Sequence, residues 1–115
     1  MNDLKMYIDG QWCDAASGET YDAVNPALAK PFGRIPKGGR DDARRAIGAA
    51  NRAYETWRKV PLWERAAMCH KIADIIARRQ DELADVLCTE LGKPRHQEAI
   101  WEAGESDVPW RIAAE

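Results

Sequence analysis

The sequence has no apolar run approaching the ~20 residues that a helix needs to span a bilayer. Its first residues, Met1-Asn2-Asp3-Leu4-Lys5, lack the apolar stretch of a secretory signal. It has little cysteine: Cys13, Cys69 and Cys88 are odd in number and widely spaced, with no CxxC pair. That fits a reducing compartment better than a disulfide framework, so the expected location is cytoplasmic. The two histidines, His70 and His96, are not spaced as zinc ligands. Neither sign of charge dominates, with 17 Lys and Arg against 19 Asp and Glu and a formal net charge of −2. A dedicated nucleic-acid binder would show a basic excess, so no nucleic-acid partner and no membrane partner are expected. No internal repeat, low-complexity stretch or long linker interrupts the chain.

What is present fits a soluble globular chain of one small domain, 115 residues that are 45% hydrophobic and 31% charged. Residues 1–39 read as β-rich and residues 40–115 as helical. Two β-leaning runs within residues 5–13 flank Asp9-Gly10, a strong hairpin signal. Thr20 to Val24 reads as a third strand ended by Asn25-Pro26, and Pro31 to Pro36 as a short extended piece. Helices are expected near 41–58, 62–79, 81–91 and 95–108. The first has Asp41 or Asp42 as its cap and an apolar stripe of Ala43, Ala46, Ile47, Ala50, Ala53 and Trp57. The second carries Leu62, Ala66, Cys69, Ile72, Ala73 and Ile76. The third buries Leu83, Ala84, Leu87, Cys88 and Leu91, with Gly92 at its C-terminus. Pro109 is expected to kink or end the fourth.

Three groups look chemical and read better as structure. Cys69 and His70 are neighbours on a helix and point about 100° apart, so they do not face each other. Lys37-Gly38-Gly39-Arg40 precedes a helix but matches neither nucleotide-loop pattern, and an ordinary strand-to-helix connection accounts for it. Arg40, Arg44, Arg45, Arg78 and Arg79 are interleaved with Asp41, Asp42, Asp74, Asp81 and Glu82, as on a solvated helix face.

The order of several short stretches carries a resemblance. Tyr7-Ile8-Asp9-Gly10-Gln11-Trp12 is followed by Ser17-Gly18-Glu19-Thr20 and Val24-Asn25-Pro26. Ala50-Asn51-Arg52-Ala53-Tyr54 and Trp57 come next, then Glu64-Arg65 and Arg79-Gln80-Asp81-Glu82-Leu83-Ala84, and finally Glu90-Leu91-Gly92-Lys93-Pro94. Over residues 6–115 this resembles the N-terminal part of the NAD(P)-dependent aldehyde dehydrogenase superfamily. Gly-Lys-Pro after an acidic helix is the best single mark.

The resemblance implies an α/β family fragment: a hairpin and strand, then three to four helices, opening the cofactor domain. The parent reaction is oxidation of an aldehyde to a carboxylic acid, with NAD or NADP as cofactor of the full-length enzyme. The family's catalytic cysteine, general base and cofactor-binding residues lie downstream. No catalytic residue is therefore assigned, and no cofactor is expected in this chain alone. The resemblance further assigns Ala23 and Val24, through their carbonyls, and Glu90 to a structural alkali cation. The alternative is a small non-enzymatic interaction domain. Either way the expected partner is the remainder of an aldehyde dehydrogenase or a second copy, because a lone hairpin and amphipathic helices leave surface to cover.

Overall fold

The computed structural model describes residues 2–115, and its contacts divide the chain into two compact units. The first holds residues up to Val24 together with Ala29–Lys59, and the second holds Asn25–Leu28 and Val60–Glu115.

Two small sheets open the first unit. β1 (Asn2–Asp3) runs parallel to β5 (Lys30–Pro36), pairing Asn2 with Gly33 and Asp3 with Arg34, and β4 (Thr20–Asn25) flanks β5 on its other side. β2 (Met6–Ile8) and β3 (Gln11–Cys13) form the expected antiparallel hairpin. Its two-residue loop has Asp9 at φ 55° and Gly10 at φ 77°, the left-handed pair that matches the twist of the strands. Tyr7 and Trp12 face each other across the hairpin with ring centroids 4.9 Å apart.

α1 (Arg40–Trp57) starts at Gly39 as its cap, two to three residues before the aspartates that the sequence suggests. Its predicted apolar stripe does not face a core. Ala43, Ala46, Ile47, Ala50, Ala53 and Trp57 are all exposed, and the buried residues of α1 are Asp42 and Ala49. The reason is what this unit offers the helix. Asp42, Arg45, Ala49 and Arg52 recur at helical spacing along one side, and there the charged groups find partners. Arg52 Nη2 donates to Asp9 Oδ2 at 2.7 Å, and Arg45 Nη2 donates to Cys13 Sγ at 3.2 Å.

The second unit is helical: α2 (Leu62–Arg78), α3 (Gln80–Leu91), a π-turn over Arg95–Ala99, α4 (Ile100–Glu105) and α5 (Val108–Ala114). Ala84, Ala99 and Ala103 form its centre, with Leu83, Leu87, Cys88 and Ile100 half-buried around them. Methyl-sized residues let the helix backbones approach closely. The first three predicted helices are observed within about one residue at each end. Leu62 and Leu91, assigned to buried stripes, are exposed at 72% and 53%.

The fourth helix is not continuous over 95–108. Ala99 N–H reaches back five residues to the Pro94 carbonyl at 3.1 Å, which widens the first turn. The helix then stops at Ser106-Asp107, and Pro109 sits in the first turn of α5. Its missing N–H is harmless there, so Pro109 opens a new helix rather than ending the old one.

Candidate functional site

The residues with chemical promise are mostly engaged in structure. Asp42 is 3% exposed. Its carboxylate accepts the Gly39 N–H at 3.0 Å and the Ala16 N–H at 3.1 and 3.2 Å. The Gly39 N–H above all holds its carboxyl below the usual carboxylate range; burial opposes this, while the Ala16 N–H and Arg45 reinforce it. At the start of α1, then, a backbone donor that a phosphate would need is already spent, and a negative charge stands beside it. The Lys37–Arg40 loop is a plain strand-to-helix connection.

The arginines are interleaved with acids as the sequence suggests. Arg44 pairs with Asp41 at 3.3 Å and Arg79 with Glu82 at 2.5 Å, both exposed. Arg95 is the more organised cation: it reaches Asp85 at 2.6 Å and Asp81 at 2.8 Å, tying the π-turn to α3. Asp85 first, then Asp81, raise the pKa of its guanidinium. Lys93 pairs with Glu102, which raises its ammonium pKa. Arg111 bonds Asp107 at 2.7 Å and Asp74 at 3.0 Å, fastening α5 to α2.

Cys69 and His70 lie on α2, half-buried and exposed respectively. Cys88 packs at the alanine centre and Cys13 receives the Arg45 bond. Among the described residues, no group of three or more His, Cys, Asp or Glu is placed to hold a metal ion, and no helix is long and apolar enough to cross a membrane. Ala23 is buried and Val24 exposed on β4 in the first unit. Glu90 is exposed in the last turn of α3, in the second unit.

Two of the stretches that carry the resemblance meet in the second unit. Gly92 caps α3 at φ 71°, and a Cβ there would stand 3.0 Å from Cγ of Pro26. The turn bearing Pro26 is shaped by Asn25, whose Oδ1 accepts the Ala27 and Leu28 N–H groups at 2.9 and 3.0 Å.

An apolar depression of about 310 Å³ lies in the second unit. Ile76, Leu83, Val86, Leu87, Ala103 and Trp110 line it, together with Ser106. Sequence periodicity marks most of the aliphatic residues as core but misses Val86, Ser106 and Trp110, because the depression arises only where four helices converge.

A profile of the aldehyde dehydrogenase family matches residues 12–114. The chain belongs to the aldehyde dehydrogenase family. The chain is 38% identical over 93 residues to the 3,6-anhydro-alpha-L-galactose dehydrogenase of a Vibrio species, covering 81% of this chain and 19% of that protein. It is 39% identical over 99 residues to the NADP(+) succinate-semialdehyde dehydrogenase of Escherichia coli, covering 82% and 20%. The crystal structure of an NAD-dependent aldehyde dehydrogenase from Sinorhizobium meliloti superposes with a TM-score of 0.91 at 38% identity, over 98% of this chain and 23% of that one. The chain thus corresponds to the N-terminal part of aldehyde dehydrogenases and spans about a fifth of the length of the curated relatives it matches.

Proposed function

We propose that this chain is the opening segment of the cofactor domain of an NAD(P)-dependent aldehyde dehydrogenase. In this reading it works as a folded part of that enzyme and catalyses nothing alone. The parent chemistry oxidises an aldehyde to a carboxylic acid, with a thiolate attacking the carbonyl and NAD or NADP taking the hydride. The observation that carries the reading is the family match across residues 12–114, set against relatives several times longer. The engagement of Asp42, Cys13 and Cys88 in packing and hydrogen bonding supports it, since none is left poised for catalysis. The test is to assay the purified chain with NAD or NADP over a panel of aldehydes and to titrate each cofactor by calorimetry. No turnover and no tight binding are expected; turnover, or a low-micromolar Kd, would defeat the reading.

Ala23, Val24 and Glu90 remain proposed ligands of a structural alkali cation. Oxygen donors suit a hard cation, and the Glu90 carboxylate has no hydrogen-bond or ion-pair partner among the described residues. Melting in potassium against tetramethylammonium tests this, with any stabilisation by potassium expected to vanish in Glu90→Gln.

The second reading is a non-enzymatic domain that associates with itself or with a longer chain. All five tryptophans are exposed, and no large side chain is fully buried among the described residues, so much apolar surface awaits a cover.

A further inference from the structure

We propose that Asp9 is a site of spontaneous aspartate-to-isoaspartate conversion, and that Arg52 of α1 is the side chain that restrains it. The proposal concerns the first unit alone and does not depend on the role of the chain in an enzyme.

The conversion needs a carboxyl group and the backbone nitrogen of the next residue. The nitrogen of Gly10 attacks Cγ of Asp9 and a C–N bond forms. The carboxyl hydroxyl leaves as water, together with the proton of the amide, and the product is a succinimide. Water then opens the ring at either carbonyl. One opening returns aspartate; the other leaves isoaspartate, in which the main chain runs through Cγ. Water is the only other reactant, and nothing is oxidised or reduced. A side chain on the following residue crowds the attack, so glycine is the most permissive successor. Asp9-Gly10 is the sole Asp-Gly pair in the sequence, which has no Asn-Gly pair.

The structure leaves this pair open to reaction. Both residues are exposed at the tip of the hairpin, and nothing lies within 4 Å of where a Cβ on Gly10 would stand. Asp9 already occupies the left-handed region at φ 55°, where residues with a side chain are uncommon. The strands behind the loop are short, Met6–Ile8 and Gln11–Cys13, and they form a sheet of two strands. A ribbon of that size is marginal by itself and opens locally at little cost. The rotation that lines up Gly10 N with Asp9 Cγ is therefore within reach of the folded chain.

What opposes that rotation is the tie to α1. Arg52 Nη2 donates to Asp9 Oδ2 at 2.7 Å, so the reacting carboxyl is turned toward the helix and engaged there. This bond has to break before the carboxyl can face Gly10 N and shed its hydroxyl. Both partners are about two-thirds exposed, so the restraint is partial. The conversion also undoes its own restraint. Isoaspartate lengthens the loop by a backbone carbon and shortens the arm that carries the carboxylate. Arg52 then loses its partner, and the turn that sets Tyr7 against Trp12 no longer fits the strands.

The test is to incubate the 115-residue chain for weeks at neutral pH beside four references. These are a free peptide of residues 5–13 and the variants Arg52→Ala, Arg52→Lys and Arg44→Ala. Isoaspartate is counted by carboxyl methylation with labelled S-adenosylmethionine and an isoaspartate methyltransferase, and it is placed by peptide separation and fragmentation. Residue 9 is expected to convert fastest in the peptide and slowest in the parent chain. Arg52→Ala should accelerate it by roughly two- to fivefold, the range open to an exposed ion pair. Arg52→Lys keeps a donor and should stay nearer the parent rate. Arg44→Ala alters a pair on the same helix that does not reach the hairpin, and should leave the rate unchanged. A parent chain that stays free of isoaspartate at residue 9 while the peptide converts overturns the site. Equal rates in the parent chain and Arg52→Ala, or equal acceleration by Arg44→Ala, overturn the restraint by Arg52.

Discussion

The two units are stabilised by different means. In the first, a buried carboxylate gathers two backbone segments, and arginines of α1 hold the hairpin by its loop and its end. In the second, alanines at 84, 99 and 103 bring helices together, and charged pairs lie outside that centre. Polar ties respond to protonation and to loss of a partner, whereas close packing responds to volume. Substitutions that change one property at a time should therefore separate the units.

The largest effect is expected from volume in the second unit. Ala84 is fully buried, and Ala84→Leu inserts three carbons into a centre with no room. Overpacking of this kind costs about 1–3 kcal/mol, sometimes more, and urea unfolding read at Trp101 and Trp110 should show it. A change confined to the hairpin resonances would contradict the division. Next comes Asp42→Ala, which leaves the Ala16 and Gly39 N–H groups without their acceptor. It should loosen the first unit, seen as faster amide exchange in α1, while α3 exchanges as before.

Acid should act in the same direction. The folded state lowers the Asp42 carboxyl below its ordinary value near 3.8. Its contribution is therefore complete above that value and is lost as pH falls through the depressed folded pKa. In the second unit Glu82 is also lowered, chiefly by its hydrogen bond from Arg79, but that pair is more than half exposed and solvent screens it. An acid titration followed by NMR should show the first unit losing structure before the second, and Asp42→Asn should abolish the difference. The smallest effect belongs to Arg52→Ala. Both partners of the Arg52–Asp9 pair are about two-thirds exposed, so thermal melting should register a cost below about 1 kcal/mol.

Much of this was legible locally. Asp9-Gly10 forces a two-residue loop whatever surrounds it, and Gly92 ends α3 for a reason internal to the helix end. Local signals misled where tertiary supply decided the outcome. The stripe of α1 is amphipathic in sequence, yet its own unit provides charged partners on the adjacent side and no apolar surface for Ile47 and Trp57. The π-turn was hidden too, because it combines a backbone bond to Pro94 with an arginine bridge to α3. Of the candidate site, the aliphatic liners of the apolar depression follow from helical spacing. Trp110 does not, since its position depends on Pro109 starting a helix.

The contact of Gly92 with Pro26 has a kinetic consequence. The helices of the second unit form from neighbours in sequence and can assemble early. The Asn25–Leu28 turn must instead be carried back across the whole of β5, α1 and α2 before it touches α3. Closing so long a loop costs chain entropy before any contact repays it. The turn should therefore dock after the transition state. Gly92→Ala, strained at φ 71° and crowded by Pro26, should mainly speed unfolding and leave the folding rate nearly unchanged, making this joint the latch that opens first.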